Sequence, residues 1–285
     1  MSWLPSVIGS VALWTGGALL LAAATVIDPD RLRGLRGDLP ERLRRSRHAL
    51  AALGVVLVAS AVGRSSLQVV SRLWGLQLTG LIYAIEGEFV GWLQATFATP
   101  ELTAYFAGIY VYGYAFLLSF PVLAYLALPR TEPLRRLLVA YTFNYAIGLV
   151  IYTVVFAHGP RNLNVATSLL FTHNPEFTAL TSEINKPTNV FPSLHTSLSV
   201  TVAAFAVLTR DEYPRWTPLA LWISASVVIA TMYLGIHWLI DVIGGIVLAL
   251  GSVFLSYRIV EPDRETGDGP GNGIDIDGDD VAGDA

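Results

Sequence analysis

The chain has 285 residues, 53% of them hydrophobic and 14% charged, with a mean hydropathy of +0.55. Soluble domains carry about 25% charged residues, so this composition excludes an ordinary soluble globule and points to an integral membrane protein. The net charge of −4 is unevenly placed: from Ile259 onward nine acidic residues accompany one arginine, and the remainder is net positive by four. That excess is spread through loops, which implies no nucleic-acid patch. With no cysteine there is no disulfide framework and no thiolate metal site.

Residues 6–27 form an apolar run about long enough to cross a bilayer core. No positive residue precedes the run and arginines follow it. It therefore reads as a retained helix with its N-terminus outside, although Ala22 and Ala24 imitate a signal-peptidase site. Residues 28–48 read as a hydrophilic cytoplasmic loop holding Arg31, Arg33, Arg36, Arg42, Arg44, Arg45 and Arg47. Binding of anionic lipid headgroups is the sharper alternative for that loop. Residues 49–63 are apolar and start a six-helix core.

Residues 67–97 are not a clean span. Leu78, Leu81, Ile82, Ile85, Phe89, Trp92, Leu93 and Phe97 recur at helical spacing, with Gln77, Glu86, Glu88 and Gln94 on the other side. The pattern predicts a helix lying in the membrane interface. Residues 103–128, rich in tyrosine (Tyr105, Tyr110, Tyr112, Tyr114), and residues 137–156 read as spans. A polar loop over 158–190 carries Arg161, His173, Glu176, Glu183 and Lys186. Residues 193–208, 218–234 and 238–257 complete seven helices. The acidic, Gly-rich segment 258–285 reads as a disordered tail. It imitates a calcium loop but lacks the terminal bidentate glutamate.

The expected organisation is thus all-α and polytopic: residues 1–48 as an N-terminal helix and basic loop, 49–257 as the six-helix core, and 258–285 as the tail. With the N-terminus outside, 14 of the 18 basic residues fall on the inner side. That asymmetry predicts a multi-pass protein of the cell membrane with a cytoplasmic tail.

Two short motifs carry the chemistry. Pro192-Ser193-Leu194-His195 and Gly235-Ile236-His237-Trp238-Leu239-Ile240-Asp241 sit at the edges of apolar runs. His195 begins a helix running inward and His237 ends the next one running outward, which places both at the outer face with Arg161 and Lys186. Ionisable groups at such a boundary are functional by default. His237 and Asp241 are four apart, and a helix would carry them on one face within hydrogen-bonding reach. A carboxylate behind an imidazole fixes its tautomer and raises its basicity. The set reads as one histidine attacking phosphorus and the other protonating the leaving group. A zinc site from His195, His237 and Asp241 is geometrically conceivable, but cationic neighbours favour an anion.

Phe191-Pro-Ser-Leu-His195 and Tyr233-Leu-Gly-Ile-His-Trp-Leu-Ile-Asp241 resemble the second and third motifs of the type-2 phosphatidic acid phosphatase superfamily. Leu194, where glycine is usual, is similar to the inositol phosphorylceramide synthase-like branch. The resemblance covers about residues 49–257 and implies a six-helix phosphatase-type core. It implies that His237 is a nucleophile forming a phosphohistidine, that Asp241 orients it, and that His195 serves as acid and then base. Ser193, Gly235, Arg161 and Lys186 would bind phosphate, with no metal and no cofactor. The first motif departs from the family pattern: Val154 stands where a lysine is usual and Asn162 follows Arg161. Thr231 replaces an arginine before the third motif. The implied partners are a membrane lipid or polyprenyl (di)phosphate and a water or small alcohol acceptor. A lipid-binding or transport protein that kept the fold and lost the chemistry is the other class.

Overall fold

The computed structural model describes residues 3–173, 175, 177 and 190–263. It is an all-α bundle, and six helical stretches are long and apolar enough to cross a membrane. The first, α1 (Trp3–Val26), packs on the outside of the bundle with Leu13, Trp14, Leu20 and Leu21 exposed, a surface suited to lipid chains.

The first correction is α2 (Pro29–Trp74), one continuous helix of 46 residues where a loop over 28–48 was expected. Asp28 starts it by accepting from the Asp30 amide at 2.8 Å, and Pro29 occupies the first turn. The arginines that suggest a loop are helix-surface partners. Glu41 pairs with Arg44 and Arg45, three and four residues on. Arg42 is buried and donates to the carbonyls of Leu126 and Leu128 at 2.9 and 2.6 Å, capping another helix end. At 1.5 Å per residue, α2 is about 69 Å long, so its basic half extends past a hydrocarbon core of about 30 Å.

Residues 67–97 also differ from the single interfacial helix expected. Residues 67–74 finish α2, and β1 (Leu76–Gln77) pairs in parallel with β2 (Val155–Phe156). Two short helices follow, α3 (Thr79–Glu86) and α4 (Phe89–Phe97). They are separated at Gly87, whose φ of 59° suits a residue without a Cβ. Leu81, Ile85, Trp92 and Phe97 are exposed on these helices, while Ile82 and Val90 are buried. The amphipathic reading therefore holds for each helix, but one periodicity bridged a break.

The next span joins α5 (Pro100–Gly108), a π-helical turn (Ile109–Gly113) and α6 (Tyr114–Leu126). It is followed by α7 (Glu132–Val154), a 3-10 turn (Pro160–Leu163) and α8 (Leu169–His173). Then come α9 (Leu194–Leu208), α10 (Trp216–Tyr233) and α11 (Leu239–Ile259). At 15 residues α9 is the short one, and it lies centrally against α6, α7, α10 and α11. Its Ser197, Ser199 and Thr201 are wholly buried; Asn144 of α7 donates to Thr201 Oγ1 at 3.1 Å and accepts from Ser197. Small and hydrogen-bonded side chains let helices approach closely where lipid offers no hydrophobic drive.

The segment expected as tail begins inside the fold. α11 continues to Ile259, and the Asp263 carboxylate accepts from the Thr131 and Glu132 amides at 2.7 and 3.1 Å, capping α7. Residues 264–285, including the calcium-loop imitation, lie outside the described residues.

Candidate active site

His237 does not share a helical face with Asp241. The N-cap of α11 is Trp238, which leaves His237 just outside the helix and Asp241 in its first turn. The chain reaches this geometry through Gly235, whose φ is +74° and whose amide donates to the Met232 carbonyl at 2.8 Å. A Cβ there would lie 2.6 Å from the Thr167 carbonyl oxygen, so the turn also needs the missing side chain. With its amide committed to Met232, Gly235 contributes that turn. The Thr231 carbonyl then accepts from the amides of Ile236 and His237 at 3.1 and 3.0 Å. Thr231, in the place of an arginine, turns its own hydroxyl back to the Val228 carbonyl.

The pairing of His237 with Asp241 survives this change of cause. His237 Nδ1 lies 3.3 Å from Asp241 Oδ2, and the same oxygen accepts from the Trp238 amide at 2.9 Å. A carboxylate in the first turn caps the helix and interacts well with its positive end. Asp241 is wholly buried and His237 is 5% exposed, so the capped carboxylate is held in one place behind the ring.

The other motif is fastened directly to this one. The Ser193 amide donates to the Asp241 backbone carbonyl at 3.0 Å, so α9 and α11 start side by side. Ser193 Oγ caps α9 by accepting from the Thr196 amide at 3.3 Å. His195 stands in the first turn of α9, at the same end of the bundle as His237. Its ring lies against Tyr110 and Tyr114, each at a centroid distance of 4.5 Å, and the Tyr110 hydroxyl is 3.5 Å from His195 Nδ1. Both tyrosines flank the π turn, in which the Tyr114 amide reaches back five residues to the Ile109 carbonyl. Such turns are rare and recur at functional sites. Sequence reading noted the tyrosines without assigning them to the site, because a π turn leaves no local signature.

Arg161 comes from the 3-10 turn. Its segment is tied to the His237 turn: Trp238 Nε1 donates to the His158 carbonyl at 2.8 Å, and a Cβ on Gly159 would lie 2.5 Å from the Ile236 carbonyl oxygen. Arg161 lies over the Phe171 ring at 5.3 Å and interacts electrostatically with Tyr110, the residue stacked on His195. Burial lowers the Arg161 pKa from its ordinary value, and Tyr110 partly opposes that. A guanidinium stays charged regardless, so a part-buried one gains from a bound anion. Val154, at the position of the usual first-motif lysine, is half exposed at 50%. Lys186 and the side chain of His173 lie outside the described residues. The His158 ring packs edge-on against Phe156.

Glu86 completes this end of the bundle and carried no role in the sequence reading beyond the polar side of a helix. Its carboxylate leaves α3 and accepts from the Leu239 and Ile240 amides at 2.8 and 3.1 Å, a second cap on α11. Burial pushes its pKa up, the two amides pull it down, and nearby Asp241 pushes it up again, with a net upward shift. Among the described residues, no three His, Asp or Glu side chains cluster as a metal-ligand set.

Together these features define a membrane-type helical bundle with a carboxylate-backed histidine, a second histidine and an arginine around one end. The chain belongs to the PAP2 superfamily, a group of generally phosphatase-type enzymes, whose pattern matches residues 77–255. The chain is also 32% identical over 145 residues to an uncharacterized protein of Methanocaldococcus jannaschii. That match takes in 50% of this chain and 56% of the other, so the chain spans little more than half the length of that curated relative. No solved structure matches the chain.

Proposed function

We propose that the protein is a multi-pass lipid phosphatase or phosphotransferase that works through a phosphohistidine on His237. The observation that carries this reading is the capped Asp241 carboxylate 3.3 Å from His237 Nδ1. A hydrogen bond from Nδ1–H to that carboxylate leaves the Nε2 lone pair to attack phosphorus. As the Nε2–P bond forms, the P–O bond to the leaving alcohol breaks, and His195 gives that oxygen its proton. Water or an alcohol then attacks phosphorus, His195 takes the proton back, and the N–P bond breaks to restore His237. Arg161 and the Ser193 hydroxyl hold the phosphoryl oxygens, with Lys186 as a further cation.

The substrate class is a phospholipid or a polyprenyl (di)phosphate, met at the outer face of the cell membrane with the C-terminal tail in the cytoplasm. The absent arginine at Thr231 and the Val154 position favour a second reading within this one: transfer of a phospho-headgroup to an alcohol, as in the inositol phosphorylceramide synthase-like branch. A non-catalytic lipid-binding protein is the reading to beat. Rapid acid and base quenching of wild type with ³²P-labelled phosphatidic acid separates them. Label that is acid-labile, base-stable and lost in His237→Ala supports the enzyme. No label and no turnover across phosphatidic acid, polyprenyl diphosphate and aryl phosphate leaves the binding protein. Single cysteines in the chain's cysteine-free background, probed with an impermeant thiol reagent, test the orientation. Labelling of the 28–48 segment in intact cells overturns it.

A further inference from the structure

Beside the phosphorus site lies a cleft of about 960 Å³ that no step of the proposed reaction has used. One wall is α4, which presents Gly91, Ala95 and Ala98 there, small residues three or four apart that leave room. The opposite wall is the 161–171 segment, with Arg161, Asn162, Asn164 and Ser168. Gln94 clamps the two walls together: its Nε2 donates to the Thr167 and Tyr233 carbonyls at 2.8 Å, and its Oε1 accepts from the Thr167 amide at 2.7 Å. The Thr167 carbonyl also packs on Gly235, so the back of this wall is the turn that carries His237. The cleft is therefore rigidly placed next to the reacting centre, with Arg161 common to both.

The lining chemistry narrows the occupant. Its polar groups are amides, hydroxyls and one guanidinium; no carboxylate lines it among the described residues. An amine or quaternary ammonium headgroup would need an anion or an aromatic cage, and the single aromatic ring, Phe171, already lies under Arg161. An acyl chain would need an apolar lining. Asn162 and Asn164 each offer donors and an acceptor, which suits hydroxyls that both give and take hydrogen bonds. Ser168 Oγ is buried without a hydrogen-bond partner among the described residues, a group left to be satisfied. A cleft of this volume is also far larger than a water acceptor requires.

We propose that this cleft binds a polyol: an uncharged, hydroxyl-rich group lying next to the phosphorus held by Arg161. It rests on the phosphoryl-transfer reading for its position. The polyol arrives either as the headgroup of the lipid donor or as a free acceptor, and the same contacts serve both.

The test is a binding measurement on full-length His237→Ala in detergent, which separates it from catalysis. The probes are phosphatidylinositol, phosphatidic acid and free inositol. The expected result is binding of phosphatidylinositol about tenfold tighter than phosphatidic acid, the worth of one or two good hydrogen bonds. Ala95→Phe, which fills the cleft, and the surface change Asn162→Ala should each erase that preference while phosphatidic acid still binds. Persistence of that binding shows that the variants are folded, and Asn162→Ala serves alone if Ala95→Phe is not. Displacement of phosphatidylinositol by free inositol marks the acceptor source, and no displacement marks the headgroup source. Equal affinity for the two lipids with no binding of free inositol overturns the proposal, as does a preference that survives Asn162→Ala. Failure of the catalytic reading would show separately, as absence of a phosphoenzyme in wild type.

Discussion

The backbone amide of Ser193 donates to the backbone carbonyl of Asp241 across 3.0 Å, joining two motifs that are 48 positions apart in the chain. This contact sets the relation of the two histidines, because each follows or precedes a joined residue by only a few bonds. The contact depends on Gly245, one turn further along α11. A Cβ at Gly245 would lie 2.6 Å from the Ser193 carbonyl oxygen and 3.0 Å from Thr196 Cβ. The close start of α9 and α11 is possible because that position has no side chain.

Gly245→Ala should therefore displace Ser193 and His195 from the His237 side without removing any reacting group. Misplacement of about 1 Å costs on the order of 100-fold in rate. Gly251→Ala, on the same helix with nothing within 4 Å of the added atom, is the control. Steady-state kinetics of both variants on one lipid substrate is the measurement. Equal activity of the two would show that the contact is not what aligns the site.

The roles of the histidines separate by leaving group. His237→Ala should abolish turnover on every substrate, since attack is lost whatever departs. Asp241→Asn should give a large, incomplete loss through the wrong tautomer. His195→Ala should lose about 100- to 10,000-fold on alkyl phosphates. It should recover much of this on an aryl phosphate whose phenol leaves without a proton. Rescue of His237→Ala but not His195→Ala by the aryl phosphate would reverse the assignment.

Tyr110 supports His195 in two ways, by its ring and by its hydroxyl. Tyr110→Phe keeps the stack and loses one hydrogen bond, a change worth about 0.5–1.5 kcal/mol, or up to about tenfold in rate. Tyr110→Leu also forfeits the ring contact, about 0.5–1.5 kcal/mol more. If the tyrosine orients the acid, both variants shift the limb of the kcat/KM against pH profile that belongs to His195. A profile that falls uniformly, with no shifted limb, would mark Tyr110 as packing alone.

The spans and the pairing of His237 with Asp241 were legible because apolar runs and a four-residue spacing are local signals. The cause of the pairing was not. Spacing suggested a helix face, whereas Gly235 and the Trp238 cap place His237 before the helix. Residues 28–48 misled because arginine density resembles a loop when its partners, the Leu126 and Leu128 carbonyls, are some 85 positions away. Glu86 was invisible for the same reason: it caps a helix that begins about 150 residues later. Sequence periodicity reports the face of an element, and none of these contacts is between residues of one element.

Glu86 gives a prediction in pH. Its folded pKa lies above the ordinary 4.5 because of burial and the Asp241 carboxylate. Between 4.5 and the raised value the folded protein holds a proton that the unfolded chain has released, so stability falls as pH rises through this window. The carboxyl's contribution is fully present below 4.5 and is lost once pH passes the folded pKa. Glu86→Gln has no such proton to lose. It keeps an acceptor oxygen for the α11 amides, so the step in Tm against pH should flatten while the fold persists. Glu86→Ala should remove the cap as well, costing about 0.5–2 kcal/mol at every pH. The activity readout distinguishes a tether from a charge. With a tether, Gln preserves kcat and Ala lowers it, because α3 no longer holds the start of α11 and with it Asp241. With a charge acting on Asp241, Gln and Ala shift the pH profile of kcat alike. Thermal denaturation and kinetics of the two variants from pH 4 to 8 decide the matter. An unchanged Tm step in Glu86→Gln would show that another group titrates there.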